Sequence, residues 1–266
     1  MSTEPVFTLI RGTQPLLISM PHVGTQLPAD APQRYTAKAL TLADTDWHLP
    51  QLYAFARELG ASLLIAHYSR YVIDLNRPPD DQNLYPGQNT TGLCPVDDFD
   101  SEALYPAGGT PTTTEIAERR ETYWQPYHQA LQAELARLRT RHPKVALWDA
   151  HSIRSRVPRF FDGQLPDLNL GTNNGLSCDP ALAAQLLAQC QQRGEFSAVL
   201  NGRFKGGYIT RQYGQPEAGI HAIQLEMAQC CYMQEQLPFA YLEARAVRVQ
   251  PVLRQLLQTV LTAMAG

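Results

Sequence analysis

Nowhere in this chain do Lys or Arg run longer than an isolated pair, and 22 basic residues face 25 acidic ones. That removes the electrostatic footprint of a nucleic-acid binder or of a protein that docks on anionic membrane. Small molecules are the expected partners. No apolar stretch reaches the length of about 18 residues that a membrane-spanning helix needs. The opening MSTEPVFTLIRGTQPLLISM lacks a basic leader, a long apolar region and a small-residue cleavage site, so secretion and membrane insertion are disfavoured and the cytoplasm is the expected compartment. The five cysteines, Cys94, Cys178, Cys190, Cys230 and Cys231, are an odd set without CxxC spacing. They indicate neither a disulfide framework nor a cysteine zinc site. A GxSxG elbow is also missing, and no cysteine closes a strand, which argues against a serine or cysteine hydrolase.

What is present is enough apolar material, 44% of 266 residues, to bury a substantial core. Without repeats, low-complexity tracts or a convincing linker, residues 1–266 read as one domain. Short apolar runs at 15–20, 62–66, 71–75, 145–148 and 222–225 predict buried strands. Residues 46–59, 112–142, 180–194 and 237–265 repeat apolar side chains at three and four positions and predict helices, the second of them open to a break at Pro126. Alternating strands and helices mean an α/β layered fold. The Gly-, Pro-, Asn- and Asp-rich stretches 78–114 and 158–178 predict long loops that cover or line a site.

Several predicted strands end in residues equipped for chemistry, and in an open α/β sheet ligands collect beyond the carboxyl ends of strands. His22 follows LLISMP and His151 follows VALWDA. A catalytic zinc takes three nitrogen or oxygen ligands and keeps one position open, and two histidines with one acid supply them. Asp46 in LADTDWH is the preferred acid, Asp44 the competitor, and a plain helix N-cap the structural alternative for Asp46. Asp149 shares the face of His151 and can orient its imidazole. Glu226 interrupts the buried run AIQLEMAQ. A carboxylate there needs a partner, so it is either a general base for water or half of an ion pair with an arginine. Asn76-Arg77 at the end of YVIDLNR suit a substrate carboxylate, and Arg211 in GGYITRQYG suits a second one, although either arginine also fits a structural role. His221, five residues before Glu226, is a further candidate for touching substrate.

Together PHVG, DTDWHLPQLY, YVIDLNRPP, LWDAHSIRS, NGRFKGGYITRQYG and GIHAIQLEMAQCCYM resemble the N-formylglutamate amidohydrolase (deformylase) family, in order from Pro21 to Met233. One such motif alone is weak; six in series are specific. Thr25-Gln26 and Pro50 depart from the family pattern, away from any proposed ligand. The resemblance implies a three-layer α/β/α fold around a mixed sheet, of the phosphorylase/hydrolase-like kind found in zinc carboxypeptidases. It implies hydrolysis of N-formyl-L-glutamate to formate and L-glutamate, the last step of one histidine-degradation route. It also implies a single zinc ion, or another divalent metal, on His22, Asp46 and His151, with Glu226 as base and Asn76 and Arg77 on substrate. The rival readings are a deacylase of another N-acyl acidic amino acid (succinyl or acetyl), a carboxypeptidase-like hydrolase, and a non-catalytic binder of acidic metabolites.

Overall fold

The computed structural model describes residues 5–192 and 194–265. Residues 1–4, 193 and 266, which the single-domain reading takes in, lie outside the described residues. Strands β1 (Phe7–Ile10), β2 (Leu16–Met20), β3 (Ser62–Ala66), β4 (Val145–Ile153), β5 (Leu168–Gly171), β6 (Ala198–Leu200) and β7 (Ile220–Ala228) form one seven-stranded sheet in the order β1-β3-β2-β4-β7-β5-β6. The central pairs β3–β2, β2–β4 and β4–β7 are parallel, whereas β1 meets β3 and β5 meets β7 antiparallel, so the sheet is mixed. The helices are α1 (Ala31–Arg34), α2 (Leu49–Leu52), α3 (Thr113–Arg119), α4 (Gln125–Arg139), α5 (Pro180–Gln192), α6 (Tyr208–Tyr213) and α7 (Glu243–Ala265).

The two-residue period of the strands sorts the core into two layers. Leu16, Ile18, Met20, Trp148 and Ala150 pack with α2, α5 and α7 on one face. Leu17, Val145, Leu147 and Ala222 pack with α4 and with Ile209 of α6 on the other. Helices on both faces of a mixed sheet make the expected α/β/α sandwich. The central strands are apolar on both sides because both sides are covered.

Some elements differ from the sequence reading. Residues 71–75 are not a strand but a fully buried loop, in which Asp74 N reaches Leu93 O at 2.7 Å. The apolar run there reported burial, not pairing. Residues 46–59 yield only α2 and a 3-10 turn at Ala54–Arg57, because His48 is left-handed at φ 63° immediately before the helix. The segment 112–142 opens on a capping box between Thr112 and Glu115 and then widens into a π turn at Arg120–Trp124. Pro126, which has no N–H to donate, therefore sits in the first turn of α4 without breaking the helical path. The last helix starts at Glu243, six residues later than its apolar pattern begins, and the helix expected over 180–194 is described over Pro180–Gln192, residue 193 lying outside the described residues. The short edge elements β1 and β6 were not foreseen, nor was β5, which lies inside the expected loop 158–178. Among the described residues no helix is long and apolar enough to cross a membrane.

Candidate active site

On β4 and β7 one row of side chains changes character along its length. Val145 and Leu147 belong to the core under α4, and the same row continues as Asp149 and His151; next to it Ala222 gives way to Gln224 and Glu226, with His151 in register with Glu226. The change comes at the carboxyl ends of the parallel strands β2, β4 and β7, where side chains leave the packed interior. His22 enters two residues past β2. Asp46 comes from the loop before α2, and its backbone N–H donates to His22 O at 3.0 Å, which ties the two together.

Asp46 Oδ2 lies 3.1 Å from His151 Nδ1 and 3.9 Å from His22 Nδ1. Each of the three residues is buried and offers one ligand atom, all within 4.8 Å of one another. The far nitrogens face acids: His22 Nε2 is 2.6 Å from Asp74 Oδ1, and His151 Nε2 is 3.0 Å from Asp149 Oδ2. A carboxylate that holds the Nε2 proton leaves the Nδ1 lone pair pointing to Asp46, the arrangement that orients a metal-binding imidazole. Asp74 also accepts from Arg70 Nη2 at 2.7 Å and from Asn76 N at 2.8 Å. Burial would raise its carboxyl, but His22 and Arg70 outweigh that and hold it well below the usual range.

Charge supports a cation here. Asp46, Asp74 and Asp149 are all buried, and among the described residues Arg70 is the one guanidinium buried with them. Such an excess of enclosed negative charge is unfavourable without further compensation. Burial and the nearby Arg70 lower His22, whereas at His151 burial is outweighed by Asp149 and Asp46, which raise it well above its ordinary value. A proton on His151 Nδ1, bridging to Asp46, thus occupies the place where the donor set would accept a metal ion. Substituting Asp74→Asn should weaken divalent-metal affinity on the order of 10- to 100-fold, as competition with a chromophoric chelator would show.

Glu226 faces the same cleft, and Gln224 Nε2 donates to its Oε2 at 3.2 Å. Burial pushes its carboxyl up to about 8. No arginine or lysine among the described residues forms a salt bridge with it, which disfavours the ion-pair alternative. The cleft, of about 580 Å³ and open to solvent, is also lined by Arg77, Tyr85, Phe160 and Arg203. Tyr85 and Phe160 come from the two long loops, as the sequence reading expected of them.

The remaining candidates separate. Asp44 accepts from Tyr71 Oη and Phe99 N, both at 2.9 Å, and stands outside the histidine group; Asp46 is in it, and α2 is capped at His48 instead. The Asn76 amide is occupied by protein, with Nδ2 3.2 Å from Asp149 Oδ2 and Oδ1 accepting from Ile209 N at 2.8 Å. Arg77 donates through Nε to Thr91 O at 2.8 Å and has no carboxylate partner among the described residues. Arg211 needs correction. Its Nε donates to Gly206 O at 2.9 Å, its guanidinium lies 4.8 Å from the Tyr85 ring centre, and it does not line the cleft. His221 needs it too: it is the second residue of β7, opposite Ala146, near the far end of the strand from Glu226, and an odd offset of five residues puts it on the other face of the sheet. The sequence reading names neither Arg70, which lines the cleft beside Asp74, nor Arg203, which lines it with Nε donating to Phe160 O at 2.7 Å and has its pKa lowered chiefly by burial. Arg203 follows the end of β6 by three residues, and the strand-end rule that singled out Arg77 would have found it had β6 been recognised. Asp74, inside YVIDLNR, is a buried partner of His22 that the strand-end pattern does not single out.

Residues 14–233 match the model of a family described as N-formylglutamate amidohydrolase. A protein of Pseudomonas aeruginosa named N-formylglutamate deformylase is 55% identical over 258 residues, 97% of this chain and 97% of its own length. One of Pseudomonas putida with the same name is 54% identical over 258 residues, covering 97% and 96%. The crystal structure of an N-formylglutamate amidohydrolase from Ralstonia eutropha aligns with a TM-score of 0.82 at 26% identity, over 97% of each chain.

Proposed function

Because the chain belongs to the N-formylglutamate amidohydrolase family, we propose that it hydrolyses N-formyl-L-glutamate to formate and L-glutamate, using one zinc ion held by His22, Asp46 and His151. The observation that carries the reading is the convergence of two buried imidazoles and a carboxylate beside Glu226, in a cleft where Arg77 has no acidic partner among the described residues. In this reading the chain works as a single cytoplasmic domain and supplies the last step of a histidine-degradation route.

The donor set of two imidazole nitrogens and one carboxylate suits zinc with one position left open. Bound there, the ion would supply Lewis acidity toward the formyl carbonyl and the attacking water. Glu226 Oε takes the proton of the attacking water and returns it to the departing amine nitrogen, so that the C–N bond breaks to give formate and a protonated amine. Asp74 and Asp149 keep the imidazoles in the ligating tautomer throughout. Arg77 and Arg203, both on the cleft wall, take the two carboxylates of the glutamyl part, and Asn76 braces Asp149 through Nδ2 and the start of α6 through Oδ1. Specificity then comes from charge pairing at one end and the small formyl group at the metal end.

Formate release from N-formyl-glutamate, measured beside N-acetyl- and N-succinyl-glutamate with and without a chelator, tests the reading. The formyl substrate should dominate and the chelator should stop turnover; preference for a longer acyl chain would overturn the substrate while leaving the metal group in place. Arg203→Ala is expected to raise KM on the order of tenfold or more, the loss of one hydrogen-bonded charge pair. Arg211→Ala should move KM much less, and steady-state kinetics of the two variants side by side would show it.

A further inference from the structure

A second group of ligating atoms lies away from the histidines. Asp167, Cys230 and Cys231 each offer one ligand atom, all within 4.8 Å of one another, and Cys231 Sγ is 3.6 Å from Asp167 Oδ1. We propose that Cys230, Cys231 and Asp167 form a separate binding site for a soft, thiophilic divalent cation of the zinc and cadmium class.

The site is built and reachable. Asp167 is held through its other oxygen, Oδ2, by Ser197 N at 2.8 Å and Ser197 Oγ at 2.7 Å, so Oδ1 stays turned to the thiols. The 3-10 turn carrying the cysteines, Gln229–Cys231, is pinned at Cys230 N by Glu235 Oε1 at 3.0 Å, and Glu235 is fixed in turn by Ser155 N and Oγ. The donors therefore need little reorganisation to meet an ion. They face a surface groove whose walls include Glu195, Phe196, Arg245 and Arg248. Two thiolates and a carboxylate around a divalent ion keep one net negative charge, which Arg245 on the groove wall offsets, Arg248 being paired with Glu195 at 2.6 Å.

Sulfur ligands select this class over magnesium or calcium, which prefer oxygen. Three protein donors leave a fourth tetrahedral position to water or to Glu195. Binding releases the two thiol protons to solvent, so that uptake is proton-coupled. Sequence spacing hid the site, since CxxC searches pass over adjacent cysteines and Asp167 lies far off in the chain, before β5. Cys94, Cys178 and Cys190 are buried and take no part in the group. The inference does not depend on the reaction proposed above.

The test is cadmium titration of the metal-free full chain, followed by ultraviolet thiolate-to-cadmium charge-transfer absorption and by the number of ions bound. The wild type should take two equivalents, one of them with the absorption. Cys230→Ser, a mild change at a half-buried position, should keep one equivalent and lose the absorption, whereas His151→Ala should keep the equivalent that absorbs. Asp167→Asn should weaken the absorbing site several-fold. Cadmium uptake by the wild type without the charge-transfer absorption, or undiminished absorption in Cys230→Ser, would overturn the proposal.

Discussion

Glu226→Gln is expected to lower kcat for N-formyl-glutamate on the order of 100- to 10,000-fold, the usual contribution of a positioned general base. That is about 3 to 5 kcal/mol of barrier. The substitution keeps shape and keeps an oxygen to accept from Gln224 Nε2, while the three metal donors are untouched. Metal content should stay at the wild-type value, and thermal stability should hold or rise, because a buried carboxyl whose ionised form is disfavoured has been replaced by a neutral group. Assay of formate release, metal analysis and a melting curve on one preparation separate loss of the base from loss of the site. A variant with near-wild-type kcat would remove Glu226 from the proton transfer.

His151→Ala is expected to have the other large effect, and of a different kind. It deletes one of three ligating groups and also strips Asp149 and Asp46 of the imidazole between them. Metal content should fall to background and turnover with it. The fold should lose on the order of 3 to 5 kcal/mol, the usual penalty for leaving buried charge unpaired, read as a lower denaturation midpoint. His22→Ala should behave similarly through Asp74. By contrast Glu226→Gln must retain the ion, and that contrast is what assigns the two residues different jobs.

Much of this site could be read from the chain because its ligands stand at fixed places relative to strands that are apolar on both faces. His22, His151 and Glu226 each follow or interrupt such a run, and burial of a polar group in that setting demands a partner. The residue pattern prefers Asp46 to Asp44 without excluding either; the structure separates them because Asp44 turns toward Tyr71 and Phe99. Asp74 was hidden by the assignment of 71–75 as a strand, where apolar content meant only that the loop runs through the interior. Arg203 and Arg211 share the stretch NGRFKGGYITRQYG, and nothing local distinguishes them. Their directions follow from β6 and α6, and β6 is three residues long with half-buried side chains, too short and too weakly patterned to announce itself. His221 failed because proximity in sequence along a strand is not proximity in space: each residue advances about 3.3 Å, and odd offsets change face.

The most direct test of the account is anomalous scattering at the zinc absorption edge from crystals of the zinc-loaded protein. A peak bonded to His22 Nδ1, the Asp46 carboxylate and His151 Nδ1, at about 2.0 to 2.2 Å from each, with Glu226 facing it, is the predicted result. Zinc bound only at Cys230 and Cys231, or imidazoles that share no peak, would contradict it.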